Sequence, residues 1–288
     1  MNSRKTDSFA AERELVNGWG PRPAFALLVF LTISAAFGQT PEELRIYEAY
    51  RLWVTQQPVA VQRSSEVLET YRSYLTGRGA DAADAETEIR VIRTQGDRAE
   101  VERWNRILTA EKPTFNVAPN AFLVEMTKGR KPGKALDVGM GQGRNAVWLA
   151  QQGWDVTGFD PAERAVAKAR ETARQLGLSI TTEVKGSEEF AFGEARWDLI
   201  VLSWVSFREQ AQVLSRALRP GGIIVIEGAH RDATKGTSIG GGVVFDTAEV
   251  PGLFRDLRVV RYQEPIAVSD FGQRKVRVVQ YCAERPAE

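Results

Sequence analysis

Apolar and polar positions follow two different periods along this chain. Between Thr40 and Thr109 the apolar residues recur three and four apart, as on one face of a helix. Leu44, Tyr47, Trp53 and Val54 mark a first helix. It opens at "TPEEL", with Thr40 as N-cap, Pro41 at the first helical position and Glu43 three residues on. Val67, Leu68, Tyr71 and Leu75 mark a second helix over 59–76, closed by "GRG" at 77–79. Residues 81–95 and 98–109 read as two more. From about residue 113 short apolar runs alternate with helical patterns. The runs are 135–138, 155–159, 179–184, 198–202 and 222–227, with helices expected at 144–152, 161–176 and 207–218 between them. Continuous apolar strands separated by helices predict a parallel sheet covered on both faces. The tail changes again: "LRVVRYQEPIAV" and "RKVRVVQYCAE" alternate as antiparallel strands do, about a turn near "SDFGQ".

Composition narrows the chemistry. In 288 residues, 38 basic and 37 acidic side chains leave a net charge of +1, and they are interspersed. A nucleic-acid binder would gather excess Lys and Arg into patches, so a small-molecule partner and no nucleic acid are expected. One cysteine, Cys282, and one histidine, His230, leave no set of Cys and His for a zinc site and no internal disulfide. Cys282, in an alternating stretch, reads as a buried structural thiol.

The run "AFALLVFLTISAAF" at 24–37 carries no charge, and "AFG" before Gln39 offers a small-x-small cleavage site. Residues 1–38 therefore read as a signal peptide or membrane anchor, the alternative being a buried helix. Export or membrane anchoring follows, with membrane association through 24–37; a cytoplasmic location is the alternative. The remaining organisation is a helical region over 39–112 and an α/β domain over 113–288.

"ALDVGMGQGRNAVWLAQQGWDVTGFDP" at 135–161 joins a strand, a glycine burst, a helix, a second strand and an acid. Gly139, Gly141 and Gly143 stand at a strand-to-helix turn, where glycine permits positive φ and close approach of a ligand. The dinucleotide spacing G-x-G-x-x-G is not met, because Arg144 occupies the last position. Asp137 would repel a pyrophosphate there and attract an ammonium or sulfonium. Asp160, after the second strand, is placed to accept hydrogen bonds from a ribose, or to act as a helix N-cap.

D-x-G-x-G-x-G, the acid after strand two, "RWDLIVLSW" and "LRPGGIIVIEG" together resemble the class I S-adenosylmethionine-dependent methyltransferases, over roughly residues 115–283. "GQGRNAVWLAQQGWDVTGFD" is further similar to the tellurite-resistance and thiopurine methyltransferase branch. The resemblance implies a Rossmann-like seven-stranded, mostly parallel sheet with an antiparallel last strand, and S-adenosylmethionine as cofactor. It implies that Asp137, Gly139 and Gly141, with Gly143, hold the methionine moiety, that Asp160 takes the ribose, and that Phe159 and Pro161 flank the adenine. Ser187 stands where the family often has an acid for the adenine amino group, and Glu188 is the substitute candidate. Ser203 and Trp204 would contact cofactor or substrate, and Asn120 would lie over the cofactor; packing and turn roles are the alternatives. Arg144 reads as a surface or substrate-side charge.

Methyl transfer from a sulfonium needs chiefly alignment and a dry site, with a base only for a protonated nucleophile. His230, after strand five in "IEGAHRDA", is the candidate base, a loop histidine being the alternative. The expected function is methyl transfer to a small S, N or O nucleophile. The alternative is a module of the same fold that binds the cofactor without turnover.

Overall fold

The computed structural model describes residues 40–62, 64, 66–234 and 241–287. The signal or anchor expected over 1–38 lies outside these residues, and no helix among those described is long and apolar enough to cross a membrane. The chain divides into two compact units, one up to Arg98 and one from Ala99 onward. The division falls inside a helix, so residues 99–112 belong to the second unit, where Trp104, Ile107 and Leu108 pack with Phe115, Ala162, Ala165 and Phe271.

In the first unit, α1 (Pro41–Thr55) begins in a capping box. The Glu43 amide donates to Thr40 Oγ1 at 3.2 Å, and the Thr40 amide donates to Glu43 Oε2 at 2.8 Å. The single helix expected over 59–76 is instead α2 (Val59–Gln62) and α3 (Val67–Gly77). Ser64 Oγ accepts from the Glu66 amide at 3.0 Å, a local side-chain bond that competes with the helical ladder. The two helices expected over 81–109 are one, α4 (Ala82–Leu108), which runs through Gly96. A glycine without a following proline only weakens a helix, by about 1 kcal/mol relative to alanine. Trp53, Tyr71, Ile89 and Ile92 form the buried core of this unit.

The second unit is a layered α/β domain. Its elements are α5 (Ala121–Thr127), β1 (Lys134–Val138), α6 (Arg144–Gln151), β2 (Asp155–Phe159), α7 (Glu163–Gln175), β3 (Thr181–Glu183) and β4 (Trp197–Ser203). They continue as α8 (Ala211–Ala217), β5 (Leu218–His230), β6 (Val244–Phe245), α9 (Glu249–Leu253), β7 (Arg258–Gln263), β8 (Ile266–Val268) and β9 (Lys275–Glu284). The sheet path is β3-β2-β1-β4-β5-β9-β7, parallel from β3 to β5, with β9 antiparallel to both its neighbours. The seven-strand expectation holds, and β6 and β8 are short additions alongside β5 and β9. The run expected as one strand over 257–268 splits into β7 and β8 at Glu264-Pro265, because proline has no amide for the ladder.

Alternate residues of the strands feed two apolar layers. Leu136, Val138, Phe159, Ile200, Leu202, Ile224 and Ile226 meet α8 and α9 on one face. Ala135, Val156, Leu199, Val201, Ile223 and Val225 meet α5, α6 and α7 on the other. Cys282 is buried in this second layer, as a structural thiol should be, and burial pushes it up to about 11. Parallel register aligns the strand ends: Asp137 lies opposite Gly158 and Val201, and Ser203 lies opposite Glu227. A charged residue that ends one of these strands is therefore delivered to the carboxyl edge of the sheet.

Candidate active site

The glycine turn after β1 is left-handed at each of its three glycines. Gly139, Gly141 and Gly143 have φ of +62°, +53° and +80°. A Cβ on Gly143 would stand 2.7 Å from the Ala169 methyl, so close packing of α6 on α7 adds to the backbone requirement. The Asp160 carboxylate ties the turn to the end of β2, with Oδ2 accepting from the Gly141 amide at 2.9 Å and Oδ1 from the Ala162 amide at 2.8 Å. Burial pushes Asp160 above the usual carboxylate range, opposed by those two amides.

Asp137 is buried, and its Oδ2 has no hydrogen-bond partner. Desolvation raises its pKa to about 7, against the pull of Arg144 and the Ala146 amide, and the nearby Asp160 adds to the rise. An orphaned buried carboxylate oxygen is costly unless a donor arrives. An ammonium group is such a donor.

Beyond β4 and β5 a polar network fills the carboxyl edge. Glu227 Oε1 accepts from Asn120 Nδ2 at 2.7 Å and from Trp204 Nε1 at 3.2 Å, while Oε2 accepts from Gln280 Nε2 at 2.7 Å. Burial raises Glu227 above its ordinary value in spite of these donors. Asn120 caps α5 by accepting from the Leu123 amide at 3.0 Å, and its Nδ2 also donates to Asp270 Oδ2 at 2.9 Å. The Asn120 amide donates to Asn145 Oδ1 at 2.9 Å. Arg144 turns inward, donating to Ser203 Oγ at 3.0 Å, Ala118 O at 3.1 Å and Asp270 Oδ2 at 2.5 Å. Of the two roles expected for it, a surface or a substrate-side charge, the surface one fails, because its side chain is only 11% exposed. Trp204 holds φ at +61°, which is uncommon for a non-glycine residue and recurs at functional sites.

The structure thus brings Asp137, Gly139, Gly141, Gly143 and Asp160 together at the turn, and Asn120, Ser203 and Trp204 together through Arg144 and Glu227. Ser187 and the exposed Glu188 follow β3, where the Lys185 amide donates to Asp160 O at 3.3 Å. Pro161 is exposed beside Asp160. Phe159 does not flank a ligand site: its ring is buried in the core, 4.1 Å from the Phe190 ring centroid. Strand alternation decides this, because Leu136, Val138 and Phe159 point into the same apolar layer. His230 belongs to a separate set. Its Nε2 lies 3.0 Å from Thr247 Oγ1, its Nδ1 accepts from the Asp232 amide at 3.1 Å, and Glu264 stands 3.7 Å away.

Glu227, Asp270 and Gln280 were not singled out by the sequence. Glu227 carried a signal, an acid ending an apolar strand run at the ligand-binding edge. Asp270 carried none, since an aspartate in "SDFGQ" reads as turn chemistry.

The residues present fit S-adenosylmethionine. The orphaned Asp137 Oδ2 suits its ammonium, Arg144 suits its carboxylate, and each Asp160 oxygen keeps a lone pair beyond its amide bond for a ribose hydroxyl.

Residues 135–222 match the model of a Methyltransferase domain. The Ribosomal RNA small subunit methyltransferase C of Alcanivorax borkumensis is 30% identical over 118 residues, covering 36% of each chain. The Probable S-adenosyl-L-methionine-dependent methyltransferase TehB of Haemophilus influenzae is 42% identical over 60 residues, covering 21% of each, in keeping with the tellurite-resistance resemblance. This chain therefore spans about a third and a fifth of those relatives. A solved structure described as "Conversion of a Disulfide Bond into a Thioacetal Group during Echinomycin Biosynthesis" shares the fold, with a TM-score of 0.53, 21% identity, and coverage of 65% of this chain and 92% of that one. Motif order, sheet path and domain match agree: residues 135–222 carry a methyltransferase domain, set in a sheet that supports the resemblance to the class I S-adenosylmethionine-dependent methyltransferases.

Proposed function

We propose that this protein transfers a methyl group from S-adenosylmethionine to a small-molecule nucleophile. One observation carries the cofactor half of the reading: Asp137 buries an unpartnered carboxylate oxygen beside the glycine turn. Bound there, the cofactor supplies a methyl group on a positive sulfur. Asp137 and Arg144 orient its amino-acid end, Asp160 takes its ribose, and Ser187 and Glu188 lie on the side of the adenine. Trp204, held at the edge by its amide bond to Glu227 O at 2.8 Å, shields the reacting end from water. The small-molecule half rests on charge. Asp160, Glu227 and Asp270 outnumber Arg144 at this edge, an arrangement that disfavours phosphates.

Asp160→Ala is expected to remove most binding of S-adenosylmethionine, measured by calorimetry on the purified protein. Unchanged affinity in that variant would sink the assignment of the ribose site.

Binding without turnover is favoured by one observation, that both ring nitrogens of His230, at the end of β5, are already engaged, by Thr247 Oγ1 and by the Asp232 amide. Release of S-adenosylhomocysteine in a screen of thiols, phenols and amines, with ribosomal RNA as a comparison arm, separates the readings. We further propose that residues 1–38 direct export or anchor the chain. N-terminal sequencing of the mature protein with cell fractionation tests this, and an intact, unprocessed N-terminus in the soluble fraction contradicts it.

A further inference from the structure

The turn between β8 and β9 reaches across the candidate site and places a carboxylate on its cation. Asp270 is buried there, and three side chains donate to it: Arg144 Nη2 at 2.5 Å, Asn120 Nδ2 at 2.9 Å, and Asn116 Nδ2 at 2.9 Å. Two planar amides and a guanidinium converging on one carboxylate form a carboxylate receptor. The backbone on either side is fastened to the segment before α5. The Asn116 amide donates to Asp270 O at 2.7 Å, the Gly272 amide donates to Thr114 O at 3.2 Å, and Phe115 and Phe271 form a bridge. Phe271 packs its ring against Trp104, Phe115 and Trp204 at centroid distances of 5.5, 5.7 and 6.0 Å. The turn is thus a strap of residues 269–272, pinned by backbone bonds, aromatic rings and one ion pair.

We infer that Asp270 is an internal stand-in for the α-carboxylate of the cofactor, so that cofactor binding must displace Asp270 from Arg144 and release the strap. The inference rests on the cofactor reading above and adds a built-in competitor to it. Two negative groups compete for one guanidinium, and the orphaned Asp137 Oδ2 gains its donor only when the amino-acid end of the ligand enters. The strap also carries Phe271 away from Trp204 as it leaves, which opens the acceptor side of the site.

Asp270→Asn keeps the shape and a carbonyl acceptor while removing the charge. Two probes are compared by calorimetry: S-adenosylhomocysteine, which has the α-carboxylate, and 5′-methylthioadenosine, which lacks the amino-acid end. The expected result is affinity for S-adenosylhomocysteine at least fivefold higher in the variant than in wild type, with methylthioadenosine unchanged. A gain for both probes alike reports steric opening and overturns the competition, as does loss or constancy for S-adenosylhomocysteine. Absence of S-adenosylhomocysteine binding to both proteins refutes the cofactor reading itself, and the inference with it. Should the variant fail to fold, hydrogen exchange on wild type decides. Saturation with S-adenosylhomocysteine is expected to reduce protection of the Asn116 and Gly272 amides, and unchanged or increased protection there overturns the proposal.

Discussion

Asn120 shows how much one side chain carries. Its Oδ1 caps α5, and its two Nδ2 protons go to Glu227 and Asp270. Asn120→Ala removes the cap, worth about 1 kcal/mol, and takes one of two donors from Glu227 Oε1 and from Asp270 Oδ2, which keep Trp204 and Arg144, at about 1.5–3 kcal/mol for each lost bond to a charged group. Asn120→Asp keeps a capping oxygen but sets a third carboxylate against the other two. It is therefore expected to destabilise more than alanine does, in urea melts at pH 7. The reverse order would mean that the cap, and not the donation to Glu227 and Asp270, is what matters. Asp137 differs in kind. Its polar environment is incomplete without a ligand, which is why it marks the site more sharply than any saturated residue.

At the level of elements, glycine has opposite meanings in two helical segments. Gly96 lies inside α4 with nothing within 4 Å of an added Cβ, whereas Gly143 sits at φ +80° with the Ala169 methyl 2.7 Å from one. Gly96→Ala is expected to stabilise by about 0.5–1 kcal/mol, because the unfolded chain loses freedom. Gly143→Ala is expected to destabilise by about 1–3 kcal/mol, through left-handed strain and overpacking. Thermal melts of the two variants check both signs, and a stabilised Gly143→Ala would contradict the turn as described. Glycine spacing located the turn from sequence because positive φ is a local requirement. Helix breaks were less legible: α2 stops at Gln62 and α3 starts at Val67 with no glycine or proline between Gln62 and Val67, while Gly96 left α4 intact.

For the whole molecule, buried acids set the response to pH. Burial raises Asp137 from 3.8 to about 7, and raises Asp160 and Glu227 as well. A raised acid binds more protons in the folded than in the unfolded chain between its two pKa values, so stability falls as pH rises through that window. For Asp137 the fall spans about pH 4 to 7 and then levels. Each unit of upward shift corresponds to about 1.4 kcal/mol. Asp137→Asn should therefore match wild type near pH 4 and exceed its stability at pH 8, while losing cofactor affinity. Denaturant midpoints across this range test the sign. A variant less stable than wild type at pH 8 would show that Asp137 is held by donors the structure does not place there.

The alternation of strands and helices with its antiparallel end, the glycine turn and the acids beside it were legible in the sequence, because strand alternation, helical period and left-handed turns are dictated by neighbours along the chain; the order of the strands in the sheet was not. Asp137 and Asp160 flank the turn within one strand-helix-strand unit, so spacing alone brings them together. The rest of the site was not legible. Asn120 reaches Glu227 and Asp270 across 107 and 150 positions, and Arg144 reaches Asp270 across 126. No local period encodes such pairings; only the packing of β5, β9 and the β8–β9 turn onto one edge selects them. The same packing turned Phe159 into the core and His230 toward Thr247, since the face a strand residue occupies is decided by what covers the sheet.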